Sequence, residues 1–185
     1  MSLERMEYER DHDVLTELYN RRAFKRMALA LLARGPQAAC VGALVMLDLD
    51  NLKYINDTYG HDMGDAYIRC MAASLPSPDG ERCLVARMSG DEFFVLFHGY
   101  DTQEEVRGQI ALLRQRMTRA SLTLPDGVRQ PVRASGGVAW YPADSDRFDE
   151  LVRYADFAMY QVKNSGKGEF AEFDGEAYRR DAYLV

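Results

Sequence analysis

Histidine, cysteine and tryptophan are scarce, with 3 His, 3 Cys and 1 Trp in 185 residues. Cys40, Cys70 and Cys83 lie far apart and form no CxxC pair, which excludes a thiolate zinc site and a disulfide framework and leaves reduced core thiols. No run approaches the roughly 20 apolar residues that a membrane-spanning helix needs. The opening MSLERMEYERDHD has no apolar block of the signal-peptide kind, so a soluble, cytoplasmic segment without membrane contact is expected. Positive charge is also in deficit: 23 Lys and Arg against 29 Asp and Glu give a net charge of −6. That balance argues against a nucleic-acid surface, which relies on clustered cations. An anionic ligand stays possible where metal ions and a few local cations offset the charge.

What is present suits one globular domain: 47% of the residues are hydrophobic, enough for a core at this length. Residues 1–12 are charged and helix-compatible without a core of their own, and are expected to form a linker or signalling helix. They would lead in from an upstream sensory part, with the start MSL as a possible cloning scar. The domain proper is expected over 13–175, with a C-terminal tail at 176–185.

Along the chain, NRRAFKRMALALLARGP predicts a helix ended by Gly35-Pro36, with Phe24, Met27, Leu31 and Leu32 at helical spacing. CVGALVMLDLD is a continuous apolar run closing on acids, the pattern of a buried strand that delivers Asp48 and Asp50 at its C-terminal end. A helix follows in GDAYIRCMAASL, broken by PSPDG. LVARM and EFFVLF then flank a Ser-Gly turn as a β-hairpin. Thr102 and Glu105 form a capping box for a helix striped by Val106, Ile110, Leu113 and Met117. After the Pro-Asp-Gly turn at 125–127 comes a strand through VRASGGVAWY, then the helix FDELVRYADFAMYQVKNSG and a last strand in EFAEF. Strand, helix, hairpin, helix, strand is the order of an α+β, ferredoxin-like or polymerase-palm sheet, mostly antiparallel and flanked by helices. In that sheet the end of the first strand lies beside the hairpin turn, so Asp48 is expected near Asp91 and Glu92.

Carboxylates gathered at neighbouring strand ends repel one another unless cations sit among them. Hard oxygen donors select Mg²⁺ or Mn²⁺, which complete their shells with water and substrate phosphates and so point to nucleotide chemistry. The plainer alternative is that Asp91 and Glu92 are solvated turn and edge acids. The following DLDNLKYINDTYGHDMGDAYI favours the first reading. Backbone amides at Asn51, Leu52 and Lys53 can face a triphosphate. Asn56 can donate to guanine O6 or N7, and Asp65 can accept from N1–H and N2–H₂. Taken singly, Asn56 and Asp65 read more readily as a helix cap and a turn residue, and only the set carries weight.

Taken in order, DVLTELYNRRAF, DLDNLKYINDTYGHDMGD, RMSGDEF, SGGVAWY and ADFAMYQVKNSGKG resemble the GGDEF family of diguanylate cyclases, from Asp13 to about Phe173. The resemblance implies condensation of two GTP into cyclic di-GMP and two pyrophosphates, as a bacterial second-messenger signal, with a homodimer needed for the two attacks. It assigns Asp48, the Leu49 carbonyl and Asp91 to metal, two Mg²⁺ or Mn²⁺ per site. Asn56 and Asp65 would read guanine, with His61 and Gly90 beside the nucleotide. Asn51, Leu52 and Lys53 would cradle the phosphates, Lys163 and Lys167 would supply cations, and Asp91 or Glu92 would help deprotonate the ribose 3′-hydroxyl.

Four departures stand out. Ser89 replaces the first signature glycine, Glu17 stands where glycine is usual, Leu52 replaces an aromatic, and Lys167 replaces an arginine and loses its fork. The RxxD product-inhibition site of many relatives is missing, its positions being Gly80 and Cys83. An alternative is therefore a degenerate member that binds GTP or a partner without turnover. A purely structural module is a third reading, and it leaves the intact acids unexplained.

Overall fold

The computed structural model describes residues 3–78 and 80–182, so Asp79 of the expected PSPDG break, the first two residues of the expected linker and the last three of the expected tail lie outside the described residues. In chain order the elements are α1 (Leu3–Asp11), α2 (Arg21–Leu32), α3 (Pro36–Ala39), β1 (Val41–Leu49), α4 (Leu52–Tyr59), α5 (His61–Ser74), β2 (Cys83–Ser89) and β3 (Glu92–Tyr100). They continue with α6 (Gln103–Arg119), β4 (Ser121–Thr123), β5 (Arg129–Pro131), β6 (Ala134–Tyr141), α7 (Phe148–Ser165), β7 (Phe170–Glu172) and α8 (Gly175–Ala182).

The main sheet has five strands in the order β2-β3-β1-β6-β7. β1 runs antiparallel to both β3 and β6, β2 antiparallel to β3, and β7 parallel to β6. The mostly antiparallel α+β sheet expected from the element order is what the chain forms. Continuous apolarity in β1 has a direct cause: helices cover both faces of the sheet. Val45 and Leu47 pack with α5 and α6, while Leu44 and Met46 pack with α2 and α7.

Sequence patterns missed four features. Pro36 starts the short α3 instead of only ending α2, a role suited to proline's fixed φ. The stretch after Asn51 winds into α4. The Pro-Asp-Gly turn at 125–127 closes a separate two-stranded ribbon, β4-β5, before β6 begins. Residues 175–182 form α8, N-capped by Asp174, whose Oδ1 accepts from the Glu176 and Ala177 amides at 2.9 and 3.2 Å.

α1 buries no side chain. Its C-terminal turn is fastened to the domain, where the Asn20 amide donates to Asp11 O at 2.9 Å and Arg26 Nη2 pairs with Asp11 Oδ2 at 3.0 Å. Asn20 Nδ2 and Arg22 Nη2 donate to Arg10 O at 2.8 and 3.0 Å. The same Asn20 caps α2 through its side chain.

Candidate active site

Register decides which acids share a face. Asp48 in β1 lies directly opposite Glu92 in β3, and such cross-strand partners point to the same side of an antiparallel pair. Alternation puts both on the side of Met46 and Phe94, the α2 and α7 face. α7 crosses that face closely, since a Cβ on Gly137 of β6 would lie 1.9 Å from Ala155 O. Its last turn thereby brings Lys163 against Asp48, with Nζ donating to Oδ2. Burial, then the neighbouring Lys167, lowers the Lys163 pKa from its ordinary value. Burial raises that of Glu92, with Asp156 and Asp91 adding to the rise and Arg21 opposing it.

The hairpin turn is tied to the end of β1 by the Leu49 amide, which donates to Asp91 O at 2.8 Å. Its apex is Gly90-Asp91, because Ser89 pairs with Glu92. Among the described residues, the non-glycine residues with positive φ are Glu17, Cys40, Asn51 and Lys167, so Ser89 carries no left-handed strain. Ser89 is also solvent-exposed. Arg87 braces the turn: its Nε and Nη2 donate to Gly90 O at 3.1 and 3.0 Å, and its Nη1 lies 3.2 Å from Asp13 Oδ2. Strain falls instead on Glu17, at φ 62°, the other position where the resemblance leads one to expect glycine.

An open cleft of about 500 Å³ brings together Asp48, Leu49, Asn51, Leu52, Lys53, Asp91, Lys163 and Lys167, with Asp50, Tyr54 and Asp57 also lining it. Asn51 enters α4 at φ 68°, a left-handed conformation that asparagine tolerates. Among the described residues no three His, Cys, Asp or Glu side chains converge as a ready metal cage. The oxygen donors nevertheless fit a hard cation, with the Asp48 and Asp91 carboxylates and the strand-end Leu49 carbonyl, while the Lys163 ammonium holds Asp48 in its place. Magnesium needs few protein ligands. Asp50 is a different kind of acid. It is 7% exposed, it accepts from Ser135 Oγ at 3.0 Å, and burial raises its pKa, so it knits β1 to β6.

The expected guanine readers lie apart from this cleft, between α4 and α5. Asn56 packs on α5 at Gly64, where an added Cβ would meet Asn56 Oδ1 at 1.7 Å. Asp65 follows one residue on, and His61 is exposed at the start of α5. Gly64 is a residue that sequence reasoning missed, and the available signal was a lone glycine inside a helix. Beyond Asn56, Tyr59 Oη donates to Asp126 Oδ2 at 2.7 Å, fixing the end of α4 to the β4-β5 ribbon and lifting the tyrosine pKa to about 12.

Glu92 does not line the 500 Å³ cleft. It opens with Asp48 and Lys163 onto a neighbouring one walled by Arg153, Asp156, Phe157, Met159, Tyr160 and Tyr178.

Comparisons bear on this arrangement. The family described as "Diguanylate cyclase, GGDEF domain" matches residues 10–169. The biofilm architecture maintenance protein MbaA of Vibrio cholerae is 31% identical over 172 residues, covering 88% of this chain and 21% of MbaA. Diguanylate cyclase DgcN of Escherichia coli is 36% identical over 155 residues, covering 83% of this chain and 37% of DgcN. The chain thus spans well under half the length of these relatives. Among solved structures, the GGDEF domain of PA1120 (TpbB or YfiN) from Pseudomonas aeruginosa superimposes with a TM-score of 0.79 at 31% identity, covering 91% of this chain and 97% of that one.

Proposed function

The chain belongs to the GGDEF domain family, and from that premise we propose that it is a diguanylate cyclase that joins two GTP into cyclic di-GMP in bacterial second-messenger signalling. The observation that carries this reading is the pairing of Asp48 with Glu92 across β1 and β3, with Asp91 at the adjoining turn and Lys163 reaching over from α7.

Asn56 and Asp65 read the guanine, with His61 alongside. Amides at Asn51, Leu52 and Lys53 hold the phosphates, Lys163 and Lys167 neutralise them, and Gly90 lets the sugar approach the turn. Asp48, the Leu49 carbonyl and Asp91 would hold Mg²⁺ or Mn²⁺, two per site, which when bound supply charge neutralisation at the phosphoryl oxygens. Asp91 or Glu92 accepts the proton of the ribose 3′-hydroxyl. The 3′-oxygen forms a bond to the α-phosphorus of the facing nucleotide, and the bond to pyrophosphate breaks. Two such transfers close the ring, so two copies must face each other as a homodimer, governed by an upstream sensory part through α1. We place the activity in the cytoplasm. No helix among the described residues is long and apolar enough to cross a membrane.

The test is chromatography of GTP incubated with Mg²⁺ and the chain joined to a dimerising coil, beside an Asp91→Asn variant. Cyclic di-GMP from the first and none from the second supports the reading. Equal product from both overturns the role of Asp91.

A further inference from the structure

α8 begins beyond residue 169, where the family match ends. It is nevertheless built into the domain. Tyr154 and Phe173 stack at 4.1 Å between ring centroids, and Tyr178 packs edge-on against Tyr154, Phe157 and Phe173 at 5.4, 5.1 and 5.5 Å. Tyr154 and Phe173 end their role in that cluster. Tyr178 goes further and lines the cleft that Asp48, Glu92 and Lys163 also line.

That cleft is about 510 Å³, a volume suited to a small organic ligand. Phe157, Tyr160 and Tyr178 give it aromatic surface, and Tyr160 is 59% exposed without joining the cluster. Arg153 and Lys163 add cations, each already beside an acid, Glu150 at 3.8 Å and Asp48, with Asp156 and Glu92 also on the wall. Rings that accept a flat base, together with cations that accept phosphate, are the means by which proteins hold nucleotides without reading sequence.

We propose that α8 completes a second nucleotide subsite, in which Tyr178 and Tyr160 hold the purine nucleotide carried by the facing copy beside Asp48 and Glu92. The proposal rests on the cyclase reading and extends it: one copy binds its own nucleotide along α4 and α5, and steadies its partner's on the α7-α8 wall.

The experiment compares the unmodified chain with Tyr178→Ala, Tyr178→Phe and Tyr160→Ala, all joined to the dimerising coil. Initial rates of cyclic di-GMP formation and melting temperatures are measured, together with GTPαS affinity in the same chains without the coil. Loss of one base–aromatic stack is expected to lower turnover by about tenfold or more in both alanine variants, with Tyr178→Phe recovering most of it. Binding of the first nucleotide without the coil should move less than twofold. Tyr160→Ala guards against misreading a loosened α8, since Tyr160 lies outside the cluster that seats that helix.

Unaltered turnover in Tyr160→Ala and Tyr178→Ala would overturn the subsite. Raised turnover would overturn it too, and would make α8 an obstructing flap. If the unmodified chain itself makes no cyclic di-GMP, the cyclase reading fails and takes the subsite with it. Product from every variant at equal rates removes the subsite alone.

Discussion

Arg87 and Asp13 form an ion pair, with Nη1 and Oδ2 3.2 Å apart, that joins the hairpin turn to the loop between α1 and α2, because the same guanidinium holds Gly90 O. Both side chains are largely shielded, at 16% and 23% exposure, so the pair outweighs an ordinary surface bridge. Arg87→Ala is expected to lower stability by about 1–3 kcal/mol in urea unfolding. A double-mutant cycle with Asp13→Asn should return a coupling above about 0.5 kcal/mol. Additive effects would mean that the contact carries no energy.

Ser89→Gly should change stability by no more than about 0.5 kcal/mol, since the position is exposed and free of left-handed strain. Both the serine and the glycine forms should yield cyclic di-GMP from GTP. Product from the glycine form alone would show that the hydroxymethyl group blocks the site.

Glu17 behaves differently. At φ 62° a side chain costs roughly 1–2 kcal/mol, partly offset by glycine's freedom when unfolded. Glu17→Gly is expected to raise the urea midpoint by the equivalent of about 1 kcal/mol. Glu17→Ala, which keeps the Cβ in the same conformation, should gain nothing, and an equal gain would assign the effect to charge.

Gly64→Ala separates folding from recognition. The clash it creates is with the mobile end of Asn56, and alanine favours a helix by about 1 kcal/mol over glycine, so the variant should fold. Displacing Asn56 should cut GTP affinity by about tenfold, the scale of one lost hydrogen bond. Calorimetric titration with GTP and ATP checks this, and intact preference for GTP would count against Asn56 as a guanine reader.

Acid should loosen the joint between α1 and α2. Hydrogen bonds from Arg10 and then Arg26 hold the Asp11 pKa at about 2, against an ordinary 3.8. The folded chain therefore binds fewer protons there than the unfolded one. Its contribution is present above about 3.8 and is lost as pH falls towards 2. Melting temperatures from pH 5 down to 2 should fall less steeply in Asp11→Asn than in the unmodified chain.

Much of this architecture was legible because burial writes itself into composition. The apolar run of β1 announced a strand covered on both faces, and the stripe Val106, Ile110, Leu113 and Met117 announced α6, all four buried as expected. α4 was not legible. Only Ile55 is buried along it, and Asn51 starts it without a side-chain cap, so neither periodicity nor a start signal was available. The nearness of Asp48 to the hairpin followed from strand order. That it shares a face with Glu92, which nearness alone does not give, needed the register itself. Tyr178 was out of reach in a polar stretch, because its role depends on which helix the tail folds back upon.

α1 holds to the domain at its last turn, through the carbonyls of Arg10 and Asp11 and the Asp11–Arg26 ion pair. What the helix can deliver is therefore its phase. At 3.6 residues per turn, seven inserted residues return that turn to within about 20° of its bearing, whereas four rotate it by about 40°. The domain is in that sense sensitive to how far round the helix has been wound.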